Sequence, residues 1–180
     1  MNSAPTTLAD YLQPGLRIVS VGLNPSLPSV RDGYYFSGKR NRFWPALNRS
    51  KLLQTPLEPS VEAMLTLLER DRIGFTDTVK RPTAGAGDLR AADFKKWAPL
   101  LHEKLVQLDA NTIWFHGKVA YKNFLKYAAC FDNTDCEQWG MQPQKIGCSN
   151  IFVSPNPSPA NAAYSLDDLV KWFDRLAAIS

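Results

Sequence analysis

The chain has no apolar run near the roughly 18 residues that a membrane helix needs, and no cationic start leading into a short apolar stretch. These two absences argue against export and against a membrane span. Cysteine is equally sparse. Cys130, Cys136 and Cys148 are odd in number and contain no Cys-x-x-Cys pair, which speaks against a disulfide framework and against a cysteine zinc site. They read as thiols in a reducing cytoplasm. No other metal constellation stands out, so neither a metal nor a cofactor is expected. Excess charge is slight: 21 Lys and Arg against 17 Asp and Glu leave +4, with an isoelectric point near 9.0. That balance favours a polyanionic partner without selecting one. There is no repeat period and no low-complexity linker.

What is present is an ordinary globular composition, 44% hydrophobic and 21% charged over 180 residues. A chain of this length buries a substantial core, and residues 1–180 read as a single domain. Short β-prone runs alternate with helical spacing. Ile18, Val19 and Val21 end at Gly22, and residues 73–79 form a second strand. Residues 112–115 and 150–153 supply two more, the latter closed by Ser154 and Pro155. Between them lie helical patterns at residues 43–47, at Val61, Met64, Leu65, Leu67 and Leu68, from Phe94 to Leu108, and after His116-Gly117-Lys118. Leu8 to Leu12 suggest a short leading helix, stopped by Pro14 and Gly15. Ser165, three residues before Asp168, predicts a capped closing helix carrying Leu166, Leu169, Val170, Phe173 and Leu176. Strands alternating with helices predict an α/β fold: a three-layer α/β/α sandwich with a mostly parallel central sheet.

Two loops stand out against this frame. Asn-Pro-Ser occurs at residues 24–26 and again at 156–158, each time just after a core strand. If those strands are parallel, both loops leave the sheet at the same edge, where open α/β sheets bind ligands. Pro25 restricts Asn24 to extended conformations, so its amide is presented at a strand end. Farther on come Tyr34, Tyr35 and Phe36, then Lys39, Arg40, Asn41 and Arg42, in which three of four residues are cations. Aromatics next to cations suit stacking on a base and contact with phosphate.

On four patches in order, LADYLQPGLRIVSVGLNPSLPS, GYYFSGKRNRFW, GFTDTVKRPT and VSPNPSPANAAYSLDDLV, the chain resembles the bacterial mismatch-specific uracil-DNA glycosylases. It is similar also to their thymine-DNA glycosylase relatives within the uracil-DNA glycosylase superfamily. The three cysteines argue against the iron–sulfur branch, which needs four ligands. The resemblance implies a monofunctional hydrolase that everts uracil from double- or single-stranded DNA and leaves an abasic site, acting as a monomer near the bacterial nucleoid. It implies that Asn24 orients the attacking water, in a pocket formed with Gly22, Leu23, Pro25, Asn41, Asn156 and Ser158, with Phe36 stacking on the base. An amide is no strong base, so such a mechanism leans on departure of the base as an anion.

This chain departs from the family pattern at three places. Ser26 replaces a glycine, which suggests a narrower pocket. Asp77 stands where close relatives carry Lys or Asn and some resembling sequences Asp, and it either helps the water as a carboxylate, or caps the next turn or pairs with Lys80 or Arg81. Pro159, Ala160, Asn161 and Ala162 replace a bulky wedge and its arginine, so duplex wedging is expected to be weak. Arg31, Lys39, Arg40, Arg42, Lys80 and Arg81 are candidate phosphate contacts, with Pro159, Ala160 and Asn161 on the DNA-facing loop. For Phe36 the competing reading is core packing, for Asn41 a helix cap, and for His116 a packed histidine in place of a general acid. Two rival functions stay open: excision of hypoxanthine, xanthine or thymine, and a catalytically silent nucleic-acid-binding module.

Overall fold

A computed structural model describes residues 6–128, 131 and 136–180, so Cys130 lies outside the described residues. Of the other two cysteines, Cys136 is buried and Cys148 is exposed. Five strands make one sheet: β1 (Ile18–Gly22), β2 (Ile73–Asp77), β3 (Thr112–His116), β4 (Gly140–Ile146) and β5 (Ser149–Ser154). Their order is β2-β1-β3-β5-β4. β1 pairs in parallel with β2 and β3, and β3 with β5; only β4 runs antiparallel, at an edge. The helices are α1 (Leu27–Asp32), α2 (Phe43–Arg49), α3 (Val61–Glu69), α4 (Ala91–Leu108), α5 (Lys118–Ala128) and α6 (Leu166–Ala177). Among the described residues, no helix is long and apolar enough to cross a membrane.

Side chains alternate across each strand, and both faces of the sheet are covered. Ile18, Ile73, Phe75, Trp114 and Phe152 pack on one side with Phe43, Leu47, Met64, Leu67 and Phe173 from α2, α3 and α6. Val19, Val21, Ile113, Phe115, Ile151 and Val153 pack on the other with Ala98, Leu101, Leu105, Tyr121 and Phe124 from α4 and α5. Strands buried on both faces read as continuous apolar runs, which is why the parallel core was visible in the sequence. The three-layer, mostly parallel arrangement is the one expected.

The first aromatic face also carries polar atoms, two pairs of which bond across the sheet. Trp114 Nε1 donates to Ser154 Oγ at 2.8 Å, and Ser20 Oγ lies 2.8 Å from His116 Nε2. The closing helix has its box as predicted: Ser165 Oγ accepts from the Asp168 amide while the Asp168 carboxylate accepts from the Ser165 amide.

Three elements differ from expectation. The leading segment is extended, not helical: Tyr11 exchanges both backbone hydrogen bonds with Phe75, at 3.0 and 2.8 Å. This covers the outer edge of β2, which would otherwise expose unpaired amides, and the Tyr11 hydroxyl donates to the Gly33 carbonyl at 2.6 Å. β4 has no apolar pattern and contains Pro143, so it escaped notice. An edge strand tolerates such a residue, and its register with β5 shifts between Met141 and Lys145, around that proline. α1 is a short helix begun by Ser26, whose hydroxyl accepts from the Ser29 amide, and ended at Gly33 in the left-handed region.

The Tyr11 crossing explains Gly74. A methyl group there would sit 2.4 Å from Leu16 Cδ1 and 2.8 Å from the Tyr11 carbonyl oxygen. Gly74→Ala is expected to lower stability by about 1–3 kcal/mol, as overpacking of a rigid site does. A urea-unfolding midpoint equal to that of the wild type would show that the leading segment is not packed on β2.

Candidate active site

The parallel register carries the carboxyl ends of β1, β2, β3 and β5 to one edge of the sheet. There the chain forms a cavity of about 190 Å³ lined by residues of both Asn-Pro-Ser loops together with Phe36, Asn41, Asp77 and His116. Gly22, Leu23, Asn24, Pro25, Ser26, Asn156 and Ser158 all contribute to its wall. Two stretches 132 residues apart in the sequence, at Asn24 and Asn156, therefore share one cleft.

Asn24 is fixed from behind. Beyond the strands, the chain after β1 remains zipped to the chain after β2. The amides of Thr78, Val79 and Thr83 donate to the carbonyls of Gly22, Leu23 and Pro25, at 2.8, 2.9 and 3.2 Å. Within that zipper Asn24 Nδ2 donates to the Arg81 carbonyl at 3.0 Å and to Thr83 Oγ1 at 2.7 Å, with a longer bond to Pro25 O. Thr83 Oγ1 in turn donates to Gly85 O at 2.9 Å. A carbonyl can only accept, so these partners decide which end of the amide is nitrogen. The donors of Asn24 are engaged, and its Oδ1 makes no hydrogen bond among the described residues. It is a pinned acceptor in the cleft wall. Thr83 was missed in the sequence because a threonine after a proline carries no chemical signature until its partner is seen.

Asp77 is the second unusual group. It is 4% exposed, and its Oδ1 would lie 2.4 Å from a methyl placed on Gly22. Its Oδ2 is buried without a hydrogen-bond partner, and the nearest cation, Lys80 Nζ, is 3.9 Å away. Burial, joined by nearby Asp10, lifts the carboxyl to about 7 against the pull of the Lys80 ammonium and the Tyr35 hydroxyl. Of the two readings of Asp77, no capping bond of its carboxylate appears among the described residues. Its link to Lys80 is loose, and Arg81 pairs elsewhere.

Phe36 is packed and also borders the cleft. Its ring stacks on Phe43 with centroids 4.1 Å apart and planes 20° apart, and it lines the cleft as well. Its φ of 59° is a left-handed conformation that a bulky residue adopts only when its surroundings impose it. Asn41 does likewise: its Oδ1 accepts from the Phe43 amide at 2.9 Å at the start of α2, and it borders the cavity. His116 is a packed histidine, ringed by Phe36, Phe43, Trp114 and Phe173. Burial holds it neutral, with a pKa near 3, so it cannot deliver a proton as a general acid near neutral pH. The Ser26 hydroxyl is turned into the α1 cap, donating to Ser29 Oγ at 3.0 Å, so it narrows the cleft less than its size suggested.

Several proposed phosphate contacts are occupied. Lys80, its side chain 11% exposed, donates to Asp10 Oδ1 at 2.8 Å and to the Tyr35 hydroxyl at 3.3 Å. Arg81 forms a two-pronged pair with Asp93, both bonds 2.7 Å, and also reaches Asp88 O. Arg31 pairs with its neighbour Asp32. Arg42 points inward, donating to the carbonyls of Pro157, Ser158, Asn161 and Tyr164. Lys80 and Arg42 are turned inward onto local acceptors, while Arg31 and Arg81 stay exposed in surface ion pairs, which are individually weak. Lys39 and Arg40 are exposed, as are Pro159 and Ala160, while Asn161 is half-buried with its Nδ2 on Asn156 O at 3.0 Å. Asp10, which ties Lys80, Lys104 and Thr76 beneath the site, was also missed. Among the described residues, no group of three or more His, Cys, Asp or Glu could hold a metal ion.

Two comparisons bear on this cleft. A family model of the Uracil DNA glycosylase superfamily matches residues 9–177. The fold is similar to the solution NMR structure of a protein from Methanosarcina acetivorans provisionally named a uracil DNA glycosylase. The TM-score is 0.61 at 20% identity, covering 94% of this chain and 96% of that one. With the family match spanning nearly the whole chain, and with the cleft built at the sheet edge where its two Asn-Pro-Ser loops meet, the protein belongs to the uracil DNA glycosylase superfamily.

Proposed function

We propose that the chain is a monofunctional DNA glycosylase that hydrolyses the N-glycosidic bond of uracil in DNA and leaves an abasic site. It acts as a cytoplasmic monomer, and takes uracil from G:U mismatches and from other contexts. The observation that carries this reading is the pinned amide of Asn24 in a cleft that Phe36 also lines, with an Oδ1 that makes no hydrogen bond among the described residues. An everted pyrimidine stacks on Phe36, and Asn24 Oδ1 accepts one hydrogen of a water aimed at the sugar C1′. The bond from C1′ to the base nitrogen breaks as the base takes the electron pair. The water oxygen then bonds to C1′, and its proton passes to the Asp77 carboxylate or to the departing anion. A carboxylate whose affinity for protons is raised by burial accepts one far better than an amide does.

A second reading, excision of another lesion such as hypoxanthine, xanthine or thymine, keeps support from Asp77. A buried carboxyl can be donor or acceptor toward a base edge according to its protonation, which an amide cannot.

Incision of oligonucleotides carrying uracil in G:U, A:U and single-stranded form, and of matching oligonucleotides with the other lesions, tests this reading. Asn24→Ala is expected to lose roughly 100-fold or more in excision rate while still binding DNA, the usual scale for removing one pre-organised polar group. If Asn24→Ala excises as fast as the wild type, the water is held elsewhere.

Thr83→Val removes one acceptor that fixes the Asn24 amide. We expect kcat to fall about tenfold with KM little changed, since a loosened catalytic group costs transition-state rather than ground-state binding. A rise in KM at constant kcat would refute that role.

Asp77 accepts a proton only when ionised, so the excision rate should rise with pH through about 7 and level off above it. Asp77→Asn should flatten the profile. Stability moves the opposite way. A carboxyl whose native pKa is raised to about 7 contributes stability fully below its unfolded value near 3.9, and that contribution is lost as pH climbs through 7. Asp77→Asn should therefore raise the melting temperature relative to wild type at pH 8 and much less at pH 5. Equal effects at the two pH values would mean that Asp77 titrates normally.

A further inference from the structure

The loop after β5 replaces a large wedge with small residues, and the structure puts something unusual beneath it. Arg42 donates from Nε to Pro157 O at 3.3 Å, and from Nη2 to Ser158 O at 2.8 Å and Asn161 O at 2.7 Å. Its Nη1 donates to Tyr164 O. Its own amide adds a further bond to Pro157 O at 3.1 Å. One guanidinium thus gathers four carbonyls from residues 157–164, and no ion pair of Arg42 with a carboxylate appears among the described residues. The loop is tied within itself as well. Asn156 Oδ1 accepts from the Ser158 amide at 2.8 Å, Asn161 Nδ2 donates to Asn156 O at 3.0 Å, and the Asn161 amide donates to Ser158 O at 3.0 Å. The exposed crest of this tied loop is Pro159 and Ala160, followed by Ala162 and Ala163.

We propose that Arg42 is the positioning residue of this loop: by holding four carbonyls it makes the crest of Pro159 and Ala160 a small but rigid plug for the gap left in a duplex when the target nucleotide leaves it. This rests on the glycosylase reading above. A plug must resist the return of the extruded base, which regains a few kcal/mol of stacking and pairing by doing so. A large side chain resists by bulk. A proline-alanine crest has little bulk, so it resists only if its backbone does not yield, and backbone rigidity is what a five-donor fork on four carbonyls supplies. The same residue precedes Phe43, on which Phe36 stacks, so plug and base platform spring from one point of the chain. Single-stranded DNA leaves no gap and makes no such demand.

The experiment compares the wild type with Arg42→Lys, which keeps the charge and loses the fork, and Arg42→Met, which loses both. Excision is measured on a G:U duplex and on the same strand alone, with kcat and KM resolved, and amide hydrogen exchange is followed across residues 157–164. Both variants should lower the ratio of duplex to single-strand kcat/KM at least fivefold and lose exchange protection at Ser158 and Asn161, while the core stays protected. Arg42→Lys behaving as wild type while Arg42→Met fails would make charge, not bracing, the role of Arg42 and overturn the proposal. So would equal losses on the two substrates. If the wild type excises no lesion from either substrate, the glycosylase reading fails on its own. Exchange then decides whether Arg42 braces the loop, and unchanged protection overturns it.

Discussion

A carboxyl group sealed against a glycine is the contact on which the site depends. Asp77 ends β2 directly beside Gly22 at the end of β1, and a methyl on Gly22 would meet its oxygen at 2.4 Å. The two strand ends can come this close only because position 22 has no side chain. Once they do, their continuations zip together through residues 78–83, and that zipper delivers the Arg81 carbonyl and Thr83 hydroxyl to Asn24. The glycine is thus a condition for both polar groups of the cleft. It lets Asp77 be buried deeply enough to hold a proton near neutral pH, and it brings up the backbone that orients Asn24.

Burying such a carboxyl is costly, and the chain offsets the cost only in part. Lys80 is the obvious counter-ion, yet it stands 3.9 Å from Asp77 and 2.8 Å from Asp10. Burial pushes Asp10 up, but its bonds to Lys80 and Lys104 outweigh that and hold it below the ordinary carboxylate value. On the role proposed for Asp77, the cation sits on the wrong acid for stability and the right one for reactivity, because an Asp77 fully paired with Lys80 would be a poor proton acceptor. His116 shows the opposite balance on β3, which lies on the other side of β1. Ringed by aromatics and kept neutral, it stiffens the wall behind Phe36, and its need to stay uncharged makes the fold acid-sensitive as pH falls from about 6.5 toward 3.

Much of this was legible in the sequence, for physical reasons. A parallel sheet covered on both faces writes its strands as unbroken apolar runs, and parallel strands send their following loops to one edge. Asn24 and Asn156 could therefore be paired before any coordinate was seen. What stayed hidden was whatever depends on a partner rather than on a period. Tyr11 looks helical until Phe75 is beside it, β4 carries a proline that only an edge strand tolerates, and Thr83 acquires meaning only from the amide it holds. The cations misled most. Arg42, Lys80 and Arg81 sit beside the cleft in sequence as a phosphate-binding cluster would, but charge in a string of letters does not say which way the side chain turns.

That inward turn bears on what kind of DNA suits the cleft. Every DNA phosphate left without a cation beside it weakens the salt-dependent part of affinity, which for nucleic-acid binding is often the larger part. Arg42 is committed to carbonyls and Lys80 to Asp10; of the exposed cations near the pocket in sequence, Arg31 and Arg81 are paired with Asp32 and Asp93, and Lys39 and Arg40 make no ion pair among the described residues. A protein with so thin an electrostatic grip and so small a crest is poorly equipped to pry open a stable base pair. On the proposed glycosylase reading, it is better matched to a base whose pairing is already weak, as in a mismatch or an unpaired strand, where the eversion penalty is smallest. On this view, recognition of the lesion begins with the softness of the DNA around it. On the same proposal, the pocket lined by Phe36, Asn24 and Asp77 then judges the base that arrives.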